Sequence, residues 1–303
     1  MKLLTLSLFA IFCYSIYIRL FKKASQYERA LGLESHKIKN GTITMGGIIF
    51  VILPLFFIEY DIKTICIVVA VSLFGLIGFI DDLLIIIKKN NDGINPTVKL
   101  LLQIIISSIC FYLYLSSNLN TTIKLLRYTF DLKWGYGMLI LFVLVSSGNA
   151  FNITDGIDGL CSGLTLIMSI ALIYIAFQKR EYSIAYLLVS YDIAIFCFWC
   201  FNIPKANLFM GDTGSLALGS LMGIASVVLD VVYEYIFLAI PFIFETLSVI
   251  IQVLYFKLTK GKRIFRMAPF HHHLEACGLK ELQIDILFYI IEIILVIIVI
   301  FLW

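Results

Sequence analysis

Residues 64–82 read TICIVVAVSLFGLIGFIDD, seventeen residues without a charge closed by two adjacent aspartates. The hydrocarbon core of a bilayer takes about 20 apolar residues of helix, with latitude for tilt, and a run of this kind suits it. The two acids then mark a membrane face where carboxylates are wanted. Nine further apolar stretches follow the same template, at roughly 3–21, 45–58, 97–115, 137–151, 160–177, 183–201, 214–229, 235–256 and 284–302. The pattern predicts an all-α integral membrane protein of about ten transmembrane helices, with residues 1–303 forming one polytopic domain.

Composition supports this. The chain is 61% hydrophobic and 14% charged, with a mean hydropathy of +1.00, whereas soluble domains run near half apolar and a quarter charged. The formal charge of +3 is spread along the chain without a basic tract, so nucleic acid is not an expected partner. Of seven cysteines, Cys197 and Cys200 form a C-x-x-C inside FCFWCF. Without a second pair, they read as small hydrophobes packed in a helix. The first apolar run ends in Arg19, Lys22 and Lys23 without a small-x-small cleavage site, so it reads as a retained span.

Ten spans place both termini on one side. The loops at 19–44, 81–99, 202–213 and 257–283 carry sixteen lysines and arginines, against seven for the opposite set. The positive-inside bias makes the first set cytoplasmic and puts both termini outside.

The chemistry-bearing residues fall on that cytoplasmic set. Asp81 and Asp82 close the third span, where the helix macrodipole disfavours anions. They read either as a solvated stop signal or as carboxylates matched to a cation. NAFNITDGIDGL (149–160) sets Asn149, Asn152, Asp155 and Asp158 beside Gly156 and Gly159. That block suits either an Asx turn with an N-cap or a ligand-facing loop. In FMGDTGS, Asp212 between two glycines fits an N-cap and a Mg²⁺ ligand equally. His271, His272 and His273 follow Pro269. On an extended segment their side chains alternate, which suits contact with phosphate more than a tetrahedral metal cage. Lys257, Lys260, Lys262, Arg263 and Arg266 read mainly as lipid-surface charges. Asp192 and Glu245 lie within apolar runs and must face protein or water. A polar tether is the plain reading of both, with a groove-facing role open for Glu245.

NAFNITDGIDGL, FMGDTGSLALG and RMAPFHHHLEACG closely resemble motifs of the polyprenyl-phosphate N-acetylhexosamine-1-phosphate transferases. The likeness runs from about Lys39, just before GTITMGG, to Glu281, and HHH after RMAP resembles the branch that handles the muramoyl-pentapeptide substrate. The resemblance implies a cytoplasmic-face cleft in a bacterial plasma membrane, Mg²⁺ dependence, a homodimer among membrane lipids, and two substrates, UDP-MurNAc-pentapeptide and undecaprenyl phosphate. The products would be lipid I and UMP. Carried over by position, Asp81, Asp82 and His271 are implied as catalytic, and Asp212 as the metal ligand with Asp155 as a further candidate. Lys39, Lys99, Asn152, Asp155, Gly156, Asp158, Asn202, Phe209, His272 and His273 are implied as substrate contacts, with Phe209 stacking on uracil.

Two positions depart from the family pattern. Ile43 stands where proline is usual and Ile85 where lysine is usual. One rival reading is a GlcNAc-1-phosphate transferase serving teichoic acid or O-antigen. Another is an ion or anion transporter, which would need polar residues mid-membrane on several spans. For the transfer itself, direct attack by the lipid phosphate and a covalent aspartyl-phosphate route both suit paired acids.

Overall fold

A computed structural model describes residues 2–21, 42–90, 92–117, 119–125 and 128–303. The helices are α1 (Lys2–Leu20), α2 (Gly47–Ile52), α3 (Ile62–Lys88), α4 (Pro96–Ser116), α5 (Tyr136–Thr154), α6 (Leu160–Gln178) and α7 (Tyr182–Asn202). They continue as α8 (Gly211–Val228), α9 (Val232–Leu238), α10 (Ile240–Leu258), α11 (Phe270–Ala276) and α12 (Glu281–Leu302). A short antiparallel hairpin, β1 (Thr122–Leu125) and β2 (Tyr128–Asp131), joins α4 to α5.

Local chemistry sets several boundaries. Asp61 caps α3 by accepting from the Thr64 amide, while its own amide donates to the Thr64 hydroxyl. Asn95 caps α4, with Pro96 at its first position, where a missing N–H costs nothing. α6 starts after Gly159, whose φ of +86° lies in the left-handed region open to glycine.

Among the described residues, nine helices are long and apolar enough to cross a membrane, one fewer than the expected ten. The difference is the second candidate, 45–58. It folds as α2 plus a 3-10 turn at Leu53–Phe56, which at about 1.5 Å per residue cannot reach across ~30 Å of hydrocarbon. The segment nevertheless runs the length of the bundle. At one end the Thr44 carbonyl accepts from the Tyr17 hydroxyl near the end of α1, and at the other Glu59 meets Lys2 at its start. Its extended part, Ile43 to Met45, is buried in protein, where non-helical backbone at membrane depth is tolerated.

Both termini lie at that second end. Lys63 pairs with Glu181 there, and Lys179 sits over the Trp303 ring. The ninth expected span, 235–256, is likewise broken, bending at Ala239 between α9 and α10.

α8 is the axis of the bundle, with every residue from Thr213 to Val228 buried. Small residues let its neighbours close in. A Cβ on Gly47 of α2 would overlap Gly214, one on Gly78 of α3 the Asp212 carbonyl, and one on Gly219 the Ser147 carbonyl of α5. Close backbone approach through small residues is the usual source of packing between helices in lipid. α1, α4, α10 and α12 instead leave most of their apolar surface outward.

Candidate active site

Asp81 and Asp82 do not end their helix. α3 continues through LLIII to Lys88, so the expected penalty from a C-terminal dipole does not apply. Successive residues on a helix diverge by about 100°, and the two carboxylates serve different neighbours. Asp82 reaches the first turn of α8. Its Oδ1 accepts from the Asp212 amide (3.0 Å), and its Oδ2 accepts from the Thr213 amide (2.9 Å) and hydroxyl (2.6 Å). An anion at a helix N-terminus is favoured by the dipole and by the unpaired amides there. Gly211, at φ +71°, leaves room for it, since a Cβ there would overlap the carboxylate.

Asp81 turns the other way, accepting from the Ile94 amide at 2.5 Å and lying 3.4 Å from the Lys99 ammonium. Lys99, on the first turn of α4, also bonds Asp212 directly. The other Asp212 oxygen accepts from the Asn152 amide at 2.7 Å, and Asn152 also donates to the Ser215 hydroxyl at 2.9 Å. One turn deeper, Asn149 of α5 donates to Gln103 of α4 at 2.8 Å. Four helices thus converge on one ammonium set between two carboxylates.

The turn from Asp155 to Gly159 leads from α5 to α6. Asp158 is buried, and its Oδ2 accepts from the Ala206 amide at 2.9 Å. Asn202 is buried too. Its Oδ1 accepts from the Gly159 amide and the Ser162 hydroxyl, both at 3.1 Å, and its amide donates to the Leu208 carbonyl at 3.0 Å. These bonds make Asn202 the clasp of the 203–210 loop. Phe209 is half-buried on that loop, its amide donating to the Ile43 carbonyl at 2.8 Å. Ile43 is therefore buried in a parallel bridge with Leu208. Ile85 is half-buried on α3. Lys39 lies outside the described residues.

The histidines are helical, not extended. α11 begins after Pro269, and the His271 and His272 rings meet edge to face with centroids 4.2 Å apart. His271 is buried against Glu245 of α10, Nδ1 to Oε2 at 3.1 Å. His272 pairs with Glu275, Nδ1 to Oε2 at 2.7 Å. The Nδ1 of His273 accepts from the Arg266 amide at 3.1 Å, and its ring lies against Phe265 and Phe270. His271 is tied to the Asp155 turn, because a Cβ on Gly156 would overlap its Nε2.

The motifs did not single out Thr213, Ser215 or the Ile94 amide. Thr213 and Ser215 were visible within GDTGS as hydroxyls flanking a carboxylate, whereas a backbone amide leaves no trace in sequence. Asp192, the other acid read as a tether, accepts from Ser169 of α6 at 2.5 Å, which supports that reading.

A magnesium ion ordinarily takes one or two carboxylates and completes its shell with water and substrate phosphate. The residues fit that role, since the gap between Asp81 and Asp212 already holds a cationic group, the Lys99 ammonium. Among the described residues no cluster of three histidine, cysteine or carboxylate side chains forms a ready metal cage.

A helical bundle long and apolar enough to cross a membrane, with carboxylates, a lysine and histidines grouped at one end, defines a polytopic membrane protein with a polar site at that end. The chain belongs to glycosyl transferase family 4, whose model matches residues 64–230. It is similar to the phospho-N-acetylmuramoyl-pentapeptide-transferase of Enterococcus hirae, 38% identical over 282 residues covering 90% of this chain and 88% of that protein. The enzyme of the same name from Staphylococcus saprophyticus is 39% identical over 284 residues, covering 90% and 88%. That from Geobacillus thermodenitrificans is 38% identical over 277 residues, covering 88% and 85%.

Proposed function

We propose that the protein transfers phospho-MurNAc-pentapeptide from its UDP carrier to undecaprenyl phosphate, releasing UMP and forming lipid I at the cytoplasmic face of a bacterial plasma membrane. The carrying observation is the convergence of Asp81, Lys99, Asn152 and Asp212 at the end of the bundle opposite the two termini. Set beside named relatives that align over most of their length, this arrangement favours the muramoyl-pentapeptide reading over a GlcNAc-1-phosphate transferase. The described lysines and arginines of the positive loops share that end, which favours a cytoplasmic placement with both termini outside.

Phosphoryl transfer needs mainly positioning and charge neutralisation. Lys99 would move from the carboxylates to substrate phosphate oxygens as these enter. Asn152 holds the Asp212 carboxylate in place from behind. Mg²⁺ would be held by Asp212, with Asp81 and Asp155 as further oxygen donors, and would supply neutralisation of the diphosphate and a better UMP leaving group. Asp82 has three donors fixed on its carboxylate and serves as the clamp of α8. That leaves Asp81 to accept the remaining proton of the lipid phosphate. A phosphate monoester has its second pKa near ~6, so this base has modest work to do. Direct attack by the lipid phosphate is the route the engaged Asp82 favours over an aspartyl-phosphate. Phe209 would stack on uracil, and the protein would act as a homodimer.

The test is UMP release by purified protein in detergent with undecaprenyl phosphate and Mg²⁺. Release from UDP-MurNAc-pentapeptide and not from UDP-GlcNAc is expected. Asp212→Asn should reduce it by on the order of 100-fold or more, and full activity in that variant would remove Asp212 from the metal role. A phosphorylated protein trapped by rapid quench without lipid would overturn the direct route.

A further inference from the structure

The Glu245 and His271 side chains are both fully buried, on α10 and α11. A carboxylate at such depth is costly unless its oxygens are taken up by donors. Two donors meet it, and both belong to His271: the backbone amide at 3.1 Å and the ring Nδ1 at 3.1 Å. The first contact has a local cause. α11 is seven residues long and starts at Pro269 without a side-chain cap, so the His271 amide is one of its unpaired first-turn donors. Glu245 caps it from another helix.

The second contact fixes the ring. An ionised carboxylate only accepts, so opposite such a group Nδ1 would carry the hydrogen and Nε2 would be the nitrogen left over. That Nε2 is buried and has no hydrogen-bond partner among the described residues. Buried polar atoms are rarely left so, and each exception calls for an explanation. It points at Gly156, which is half-buried and whose missing side chain is what leaves the ring its space. Asp155 directly precedes that glycine. The neighbouring rings are held otherwise, His272 by Glu275 and His273 by the Arg266 amide.

We propose that Glu245 is a positioning residue, which holds His271 through Nδ1 so that Nε2 alone is offered, across Gly156, to an oxygen of the bound substrate. This rests on the transferase reading for the identity of that substrate, but not for the orientation of the ring. The plain alternative is that Glu245 merely fastens α11 to α10. The two differ in which nitrogen matters. Asparagine in place of His271 can still donate to Glu245 at the Nδ1 position but has nothing at Nε2, and glutamine has the reverse reach.

The experiment combines nitrogen-15 NMR of histidine-labelled protein with kinetics. The chain has four histidines, so single His→Asn variants assign them. Wild type should show His271 with hydrogen on Nδ1, and Glu245→Gln should turn that signal into a mixture of tautomers. His271→Asn should unfold at the wild-type temperature yet lose about 100-fold or more in kcat, with KM changed less than about threefold. Glu245→Gln, which keeps one acceptor oxygen, should fall between.

A wild-type His271 protonated on Nε2 with bare Nδ1 would overturn the proposal, as would a His271→Asn variant of normal kcat. If wild type released no UMP from UDP-MurNAc-pentapeptide, the transferase reading would fall. The NMR result would still decide the ring orientation.

Discussion

Neighbouring residues of like chemistry divide their work here according to which helix they face. Asp82 faces the amides of α8 and Asp81 faces Lys99. Asp82→Asn should therefore lower stability by about 1–3 kcal/mol, the cost of leaving a buried donor poorly met. Asp81→Asn should unfold close to wild type and lose activity instead. Thermal unfolding in detergent, read beside UMP release, separates the two, and equal destabilisation would refute the division. Gly156 gives a second residue-scale prediction. An alanine methyl there must displace the His271 ring, and small misplacements at a reacting centre can cost on the order of 100-fold in rate. Gly156→Ala should fold and bind but turn over slowly, and a variant with the wild-type rate would show that ring placement is immaterial.

Among elements, start signals were legible where they are local. Asp61 with Thr64 and Asn95 with Pro96 are caps made by residues close in sequence, although the motifs did not single out either. Ends and short helices were harder to read. The apolar residues after Asp82 continue α3, but stopping the span at its first charge hid this, because what stabilises the acids comes from residues 94, 99, 212 and 213. α11 has too few residues to show a period, and its cap lies on α10. The Asp61 cap can be tested directly. Burial raises its carboxyl, but hydrogen bonds from the Ser183 hydroxyl and from Thr64 outweigh this and hold it below the ordinary carboxylate range. A depressed folded value means that its stabilisation is present above the unfolded pKa and fades as pH falls through the folded one. Asp61→Ala should cost about 1 kcal/mol near neutral pH and progressively less in acid. A pH-independent difference in unfolding would contradict that cause.

At the scale of the whole molecule, the hydropathy pattern conveyed the crossings but not the axis. Among the described residues nine helices are long enough to cross, and the remaining expected span is instead a short helix and a buried extended segment, held by a backbone bridge to Leu208 that composition cannot show. The burial of α8 follows from Gly47 and Gly78 on two partners and from Gly219 on α8 itself, and Gly78 and Gly219 separate its two duties. Gly78 of α3 lies against the Asp212 carbonyl, at the end where Asp82 clamps the helix and Asp212 meets Lys99. Gly219, two turns further along α8, lies against the Ser147 carbonyl of α5. Inserting a methyl into either tight contact should cost about 1–3 kcal/mol through overpacking. Only at Gly78 must the backbone that carries Asp212 move in response. Gly219→Ala should therefore unfold earlier but keep its UMP release per folded molecule, whereas Gly78→Ala should lose both. Intrinsic fluorescence from the three tryptophans reports the folded fraction, and each activity is divided by it. If Gly78→Ala kept wild-type activity per folded molecule, the start of α8 would not be what places Asp212. If Gly219→Ala lost it, strain at mid-helix would have to reach the site along α8 itself.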